Sequence, residues 1–456
     1  MSRWRPGLPH PSESGKSAEP LASETQRVTA FAPLRIPAYR RLWMAAIVSS
    51  VGTFLQLTAG PWIMLEMTGS PLMVGLVTTT LLLPRLLFTL PAGALADVVD
   101  RRVLIVGGHL GSALPAMALA VLVYVEQLTP SRLLALTFVL GLGAAFTHPA
   151  FQTLVPELVP REMLAQAITL NAAAFNVARS VGPSLGGLLV ALGLTHLSFA
   201  ANAVSYFAVV AVVLTFPKVA AARPARRRIW RSTLVGMRYV RHSGGIRRLM
   251  VVAGIFALTS ACIEAVMPSW VAQDLGLDAD GFGMLFGVFG FGALVGAATR
   301  ERARIVIGDR MLPMTMTAFG LAGVAAGASS SAWIAGPFLF FVGTTWVWTF
   351  TTLNASVQTL APRWVRGRVV GVFLLVIGLQ PVGAFLAGVL AELFGGGNAL
   401  IMMCAAALLL GLVAFHVDLP VLGRLREPEP VDSDRNPLSA LHTPGVGGSP
   451  IVIMTT

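Results

Sequence analysis

Apolar runs of about twenty residues, each closed by a short polar break, fill the chain between residues 42 and 417. The hydrocarbon core of a bilayer is about 30 Å thick and takes roughly 20 apolar residues as a helix. Each run therefore predicts one membrane-spanning helix. The expected spans are 42–65, 72–96, 103–125, 132–155, 165–191 and 196–216, then 249–272, 281–299, 311–328, 334–357, 367–391 and 398–417. The weakest separation lies between the ninth and tenth, where only Ser329, Ser330 and Ser331 mark a turn. The two ends of the chain read differently. Residues 1–30 are rich in Ser, Pro, Glu and Arg, without the apolar centre of a cleavable signal peptide. That composition predicts a disordered tail, as does the stretch from Arg424 to Thr456 apart from the patch Ile451–Met454.

Composition supports an all-α membrane protein of twelve transmembrane helices in two six-helix bundles. Hydrophobic residues make up 55% of the chain and charged residues 12%, against about 25% charged in soluble domains. So little polar surface cannot cover soluble domains of this length. With both termini placed inside, the inner loops carry twenty Arg or Lys residues and the outer loops one, Arg132. The positive-inside rule then predicts a multi-pass protein of the inner membrane with both termini cytoplasmic. It also accounts for the net charge of +12 as basic loops facing anionic lipid, so nucleic acid is not needed as a partner. Residues 1–40 and 419–456 are expected as cytoplasmic tails, 41–216 and 249–418 as the two bundles, and 217–248 as a basic cytoplasmic linker. That linker has ten basic and no acidic residues. Its stretch Trp230–Val240 has the pattern of an amphipathic helix on the membrane surface. Cys262 and Cys404 both fall in apolar spans and read as packing residues, neither a disulfide framework nor a metal site.

The two halves share a signature. Gln152-Thr153-Leu154-Val155-Pro156 follows the fourth span and Gln358-Thr359-Leu360-Ala361-Pro362 the tenth, 206 residues on. Beyond it the copies drift: Gln152 stands 31 residues before Pro183, and Gln358 stands 23 before Pro381. Repeated halves place a binding site between them in secondary transporters.

Several motifs now add up. Gly93-Ala94-Leu95-Ala96-Asp97, followed by Asp100-Arg101-Arg102, resembles the loop between helices two and three of major facilitator superfamily transporters. Gly182-Pro183-Ser184-Leu185-Gly186-Gly187 resembles the helix-five motif associated with their antiporters. Glu66–Pro71, Pro149–Gln152 and Asn176–Arg179 resemble the branch containing the bacterial enterobactin exporter and other small-molecule efflux proteins. The resemblance covers about residues 34–420. It implies alternating access and a latch of the cytoplasmic ends by Gly93, Asp97, Asp100, Arg101 and Arg102. It also implies a gating role for Gly182, Pro183, Gly186 and Gly187. From chemistry alone, Gly93 admits a close helix, Asp97 is placed to cap a helix or pair with Arg, and Pro183 is expected to break the fifth helix. The chain departs from the family in three places. Thr137 stands where proton-coupled drug antiporters have Arg, Arg300 stands where the second half would repeat Asp97, and the first span has no carboxylate at membrane depth.

Charges at membrane depth cost several kcal/mol and face a cavity or a partner. Three stand out: Arg85, Arg179 and Glu264. In the facilitator fold the first, fourth, seventh and tenth helices line the cavity, which makes Glu264 the coupling carboxylate, with a structural pair as the competing reading. Arg85 and Arg179 read as structural charges. Gln56, His148, Trp346 and Asn354 are the substrate-cavity candidates, though packing competes for His148 and Trp346. Trp346 and Trp348 cannot face the same way at helical spacing. No nucleotide-binding loop, metal-ligand cluster or nucleophile–base pair is visible, so neither an enzyme nor a cofactor is expected. The expectation is gradient-driven efflux of an amphipathic small molecule, drug or siderophore-like, by a monomer in the lipid bilayer with a proton as coupling ion. The alternatives are a lipid or lysolipid transporter and a non-transporting receptor or scaffold.

Overall fold

A computed structural model describes residues 31–216, 229–362, 364–417 and 419, without the side chains of 89, 90, 94, 96–98, 153 and 229–234. Residues 1–30 and 420–456 of the expected tails and 217–228 of the basic linker lie outside these residues. The last ten residues of the tail expected over 1–40 are instead ordered, as a 3-10 turn (Ala32–Arg35) and the first turn of a helix that begins at Pro37. Among the described residues no strand occurs; the chain is helix after helix. The first half is α1 (Pro37–Thr68), α2 (Pro71–Val98), α3 (Arg101–Tyr124), α4 (Pro130–Leu158), α5 (Leu164–Ala191) and α6 (Thr195–Leu214). A helix in the linker, α7 (Ile229–His242), follows. The second half is α8 (Gly244–Ser260), α9 (Cys262–Gln273), α10 (Ala279–Ile307), α11 (Met311–Gly327), α12 (Ala332–Leu360), α13 (Arg366–Ile377), α14 (Gln380–Phe394) and α15 (Gly396–His416). Ten stretches are long and apolar enough to cross a membrane by length and composition. One of these runs from Ala279 to Gly327 and takes in two expected spans, and α5 is not among the ten.

Local chemistry sets many of the ends. At the first turn Gly69 closes α1 with φ +64°, a conformation that disfavours a Cβ. Ser70 then caps α2 by accepting from the Met73 amide, and Pro71 occupies the first turn, where its missing N–H costs nothing. Asp100 caps α3 by accepting from the Arg102 amide at 2.9 Å.

The seventh and eleventh spans are each two helices. In the seventh, α8 ends at Ser260, and α9 begins at Cys262, with Ala261 between them. Pro268 lies inside α9; having no N–H, it leaves the carbonyl of Glu264, four residues back, without its helical partner. In the eleventh, α13 ends at Ile377, and α14 restarts at Gln380 with Pro381 in its first turn. A continuous helix there would drive the proline ring against the Ile377 carbonyl. The break expected at Pro183 is not there. α5 runs unbroken through it, and the flanking glycines serve packing. Likewise α4 continues to Leu158, so the first copy of the repeated signature is helical and does not follow the helix.

The helices of each half pack mainly on one another, and the halves meet along α5 with α10, α2 with α14, and α9 with α1 and α2. Glycine makes the closest of these approaches. A Cβ on Gly187 of α5 would lie 2.7 Å from the Cα of Gly283 on α10, and one on Gly75 of α2 would lie 2.9 Å from the Cα of Gly388 on α14. Ser180 and Ser184 donate to the carbonyls of Gly287 and Gly283. Trp62 stacks on Phe282 at 5.7 Å. At the end carrying Gly69 and Ser70, Glu392 of α14 accepts from the Ser70 hydroxyl (2.7 Å) and the Leu72 amide (3.1 Å), and Gln273 donates to the Gly69 carbonyl.

The opposite, arginine-rich end is held within each half. Arg101 pairs with Glu157 at the end of α4. Arg102 donates to the carbonyls of Phe216 and Leu214 and so closes the C-terminus of α6. In the second half, α7 packs on α13: Gly236 lies against the Arg368 backbone, and Tyr239 meets Trp364 edge to face. At this end α4 and α12 do not pack closely on each other among the described residues. His148 and Gln152 on α4 and Asn354 and Gln358 on α12 are exposed. The two halves are therefore sealed at the Ser70 end and parted at the arginine-rich end.

Candidate functional site

The seal ends, at mid-depth, on an ion pair. Arg179 of α5 donates through Nη2 to Oε1 of Glu264 on α9 at 2.8 Å. One partner belongs to each half. Glu264 falls in the first turn of α9, where the helix dipole favours a negative charge. The break between α8 and α9 is thus what puts a helix N-terminus in the middle of the seventh span. Arg179 is 4% exposed. Its guanidinium carbon lies 4.3 Å from the Trp346 ring centroid and 4.8 Å from that of Phe289. Desolvated cation–π contacts of this kind contribute about 2 kcal/mol. Together, one carboxylate and two aromatic faces compensate a guanidinium buried at membrane depth.

A cavity opens beside the pair. Its volume is about 10 Å³, room for about one water, and both helix breaks contribute to its wall. Thr78 and Leu82 come from α2, Ser260 and Ile263 from either side of the seventh-span break, and Gln380 from the start of α14. Trp346 and Phe289 supply its aromatic wall.

From Trp346 a stripe continues toward the arginine-rich end at helical spacing. Phe350 touches Trp346 at 4.7 Å between centroids. One turn further is Asn354, which accepts from Gln358 at 2.8 Å. The same arrangement recurs on α4, where Gln152 reaches back one turn to His148 at 3.4 Å. His148 and Asn354 are themselves 206 residues apart, the spacing of the repeated signature. The two polar pairs are therefore related by the internal repeat. Arg85 of α2 is exposed, and its charge acts on both Glu264 and His148.

Of the candidate residues, Glu264, Arg179 and Trp346 converge at the cavity, and Arg85, His148 and Asn354 are exposed outside its wall. Gln56 does not. It is buried, and its amide oxygen accepts from Asn202 of α6 at 2.5 Å, so it holds the first half together. Trp348 faces away and donates to the Gly296 carbonyl of α10. Gly182 and Gly186 lie against α1, at Phe54 and at Leu55 and Thr58, and Gly187 lies against α10. Gly93 was expected to admit a close helix, yet no heavy atom lies within 4 Å of where its Cβ would be. The side chain of Asp97 lies outside the described residues. The carboxylate that caps α3 is Asp100. Sequence reasoning missed Ser260, Phe289 and Gln380 at the site, and Gln152 and Gln358 beside His148 and Asn354. The repeat did carry a signal for the last two. Cys262 and Cys404 are both buried, with their sulfurs 3.9 Å apart between α9 and α15.

The family described as transmembrane secretion effectors matches residues 28–452, nearly the whole chain. The protein belongs to this family of the major facilitator superfamily. Its relatives are efflux proteins of drugs and siderophores. The chain is 30% identical to the multidrug efflux pump Tap of Mycolicibacterium fortuitum, over 84% of this chain and 95% of Tap. It is 26% identical to the enterobactin exporter EntS of Salmonella typhimurium, over 87% and 95%. It is 23% identical to the staphyloferrin A transporter of Staphylococcus aureus, over 80% and 92%. The fold is that of solved facilitators. A bacterial homologue of the human lysosomal transporter Spinster superimposes with a TM-score of 0.67 at 14% identity, covering 84% of this chain and 95% of that one. The nucleoside transporter NupG gives 0.67 at 12%, covering 83% and 99%. This secretion effector is accordingly a multi-pass membrane protein of a transporter family, not of an enzyme family.

Proposed function

We propose that this secretion effector exports an amphipathic small molecule, drug or siderophore-like, by alternating access driven by an ion gradient. The observation that carries the reading is the Arg179–Glu264 pair, which joins the two halves at the helix break beside an aromatic-walled cavity. A carboxylate paired with a cation of the moving partner has two states. Ionised, it ties the halves together; protonated, it loses most of its hold on Arg179. Loading of Glu264 is in this way linked to the separation of α5 from α9. With the arginine-rich loops inside, the structure is open to the cytoplasm and closed outside, ready to load cargo. Arg101 and Arg102, satisfied within the first half here, are then available to latch the inner ends when the protein turns outward. The glycine seams of α5–α10 and α2–α14 are the surfaces that part in that step. The coupling ion is a proton, both termini are cytoplasmic, and one chain holds the complete pathway.

The test is accumulation of a broad dye and siderophore panel in cells lacking other efflux systems, comparing the wild type with Glu264→Gln at equal expression. The wild type is expected to lower accumulation of some compounds and Glu264→Gln to lose that effect. If the wild type changes the accumulation of no compound, the export reading fails.

A further inference from the structure

The turn between α1 and α2 presents two backbone groups that its own helices do not satisfy. Pro71 brings no N–H. The Met73 amide donates to the Ser70 hydroxyl at 3.3 Å, and the Val74 amide to the Ser70 carbonyl at 3.2 Å. The Leu72 amide remains, and so does the Gly69 carbonyl just past the end of α1. Both are completed from the second half. Glu392 of α14 accepts from the Leu72 amide at 3.1 Å and from the Ser70 hydroxyl at 2.7 Å, with one oxygen, Oε2, taking both bonds. Gln273, the last residue of α9, donates through Nε2 to the Gly69 carbonyl at 3.1 Å. Close backbones bring Glu392 there. Gly388 stands one turn before it on α14 and touches Gly75, one turn after Leu72 on α2. Glu392 and Gln273 are both exposed, so water replaces these bonds when they break, and their net hold is modest.

Both arms of this clamp sit on helices that begin at the ion pair. α9 and α14 are the second pieces of the two broken spans, 12 and 15 residues long, or about 18 and 22 Å at 1.5 Å per residue. α9 carries Glu264 in its first turn and Gln273 at its end. α14 carries Gln380 at its start, in the cavity wall, and Glu392 near its end. The two helices pack on each other and on α2. We propose that Glu392 and Gln273 are the outer gating residues of this protein. They hold the Gly69–Ser70–Pro71 turn while the outer side is closed, and α9 and α14 release it when the Arg179–Glu264 pair parts. The inference rests on the alternating-access reading above and supplies its outer gate. A short helix moves as a unit, so a tilt of α9 about the break at Ala261 carries Gln273 off Gly69 at the far end. Solvated bonds suit a contact that is broken in every cycle, because neither side is left unpaired in the open state.

The experiment labels cysteine reporters in the full-length protein with a membrane-impermeant maleimide, in membrane vesicles of either orientation. Thr78→Cys, buried in the cavity wall, is read from outside, and Asn354→Cys, exposed at the arginine-rich end, from inside. Adding Glu392→Ala is expected to speed labelling of Thr78→Cys about fivefold, the scale of one or two solvated hydrogen bonds, and to slow labelling of Asn354→Cys. Gln273→Ala is expected to act in the same directions, about twofold, since it removes a single bond. Glu392→Gln keeps an oxygen that can take both donors, and its rates are expected to fall nearer to the parent than to Glu392→Ala. Both side chains are exposed, so unfolding midpoints are expected to stay at the parent value, which separates gating from loss of structure. Unchanged labelling in Glu392→Ala and in the double variant Glu392→Ala/Gln273→Ala overturns the proposal. So does faster labelling from both sides, which is loosening without gating, and so does a Glu392→Gln that behaves as Glu392→Ala. Labelling needs no cargo, so the flux assay is independent of it. Export with unchanged labelling removes the gate and leaves the transport reading in place; the expected labelling in a protein that exports nothing does the reverse.

Discussion

Arg179 and Glu264 stand 85 residues apart in the chain and meet at 2.8 Å across the boundary between the two halves. The arginine is almost wholly buried, whereas about a third of the glutamate side chain is exposed toward the cavity. Removing one member of a buried pair leaves the other uncompensated, which costs about 3–5 kcal/mol; partial exposure at Glu264 reduces the effect. Glu264→Gln is expected to lower the unfolding free energy by about 1–3 kcal/mol, and Arg179→Met by less, because the exposed carboxylate left behind is solvated. Thermal unfolding of the single and double variants forms a cycle. Additive losses would mean that the two groups do not interact in the membrane.

The aromatic pair around Arg179 makes a separate prediction. Trp346→Ala removes the nearer ring and opens the cavity wall, whereas Phe289→Ala empties a packed position against α12. Trp346→Leu, which keeps the apolar bulk, isolates the cation–π contribution of about 2 kcal/mol. It is expected to destabilise the protein by that order and to leave Arg179 paired. Equal unfolding midpoints for Trp346→Leu and wild type would show that the ring face contributes nothing to holding the guanidinium.

Gly187 tests the outer seal. A Cβ there would meet the Ala279 carbonyl oxygen at 2.4 Å and the Gly283 Cα at 2.7 Å, both backbone atoms that cannot swing aside. Gly187→Val is expected to hold α5 off α10 and favour the outward-open arrangement. The readout is labelling of a Thr78→Cys reporter by a membrane-impermeant maleimide added from outside, since Thr78 lines the cavity and is buried here. Several-fold faster labelling with Gly187→Val is expected. An unchanged rate would mean the seam does not close the outer side.

The two native thiols suit that assay. Cys262 and Cys404 are both fully buried, and an inaccessible thiol is inert whatever its neighbours. The wild-type protein is expected to take up no maleimide until it is unfolded in detergent, and then two per chain. Labelling of the native protein at an appreciable rate would show that α9 and α15 separate during cycling.

Much of the fold is legible in the sequence because its signals are local. The turn Gly69-Ser70-Pro71 ends one helix and starts the next by means of three adjacent residues. Asp100 caps α3 through the amide two residues on. Span length follows from the thickness of the apolar core. The amphipathic stretch after residue 229 became α7 because its pattern repeats at helical spacing. Pro183 misled for the same reason. The residue removes one hydrogen bond wherever it stands, yet whether the helix breaks depends on what packs around it; Gly182 and Gly186 lie so close to α1 that α5 stays straight enough to continue. Gln56 misled because a glutamine on the first span can face the cavity or a neighbouring helix, and Asn202, which decides between them, lies 146 residues away.

The sequence by itself determined which segments are helical, where most of them end, which loops carry the positive charge, and that three charges stand at membrane depth. Each of these depends on residues within a few turns of one another. Only the tertiary structure decided that Arg179 and Glu264 share one site, that Trp346 faces it while Trp348 does not, and that Ser260 and Phe289 complete it. A membrane helix presents apolar side chains on most of its faces, so its own pattern does not say which face meets which neighbour. That choice is made by small residues such as Gly75, Gly187, Gly283 and Gly388, whose value lies in the backbone they allow to come close.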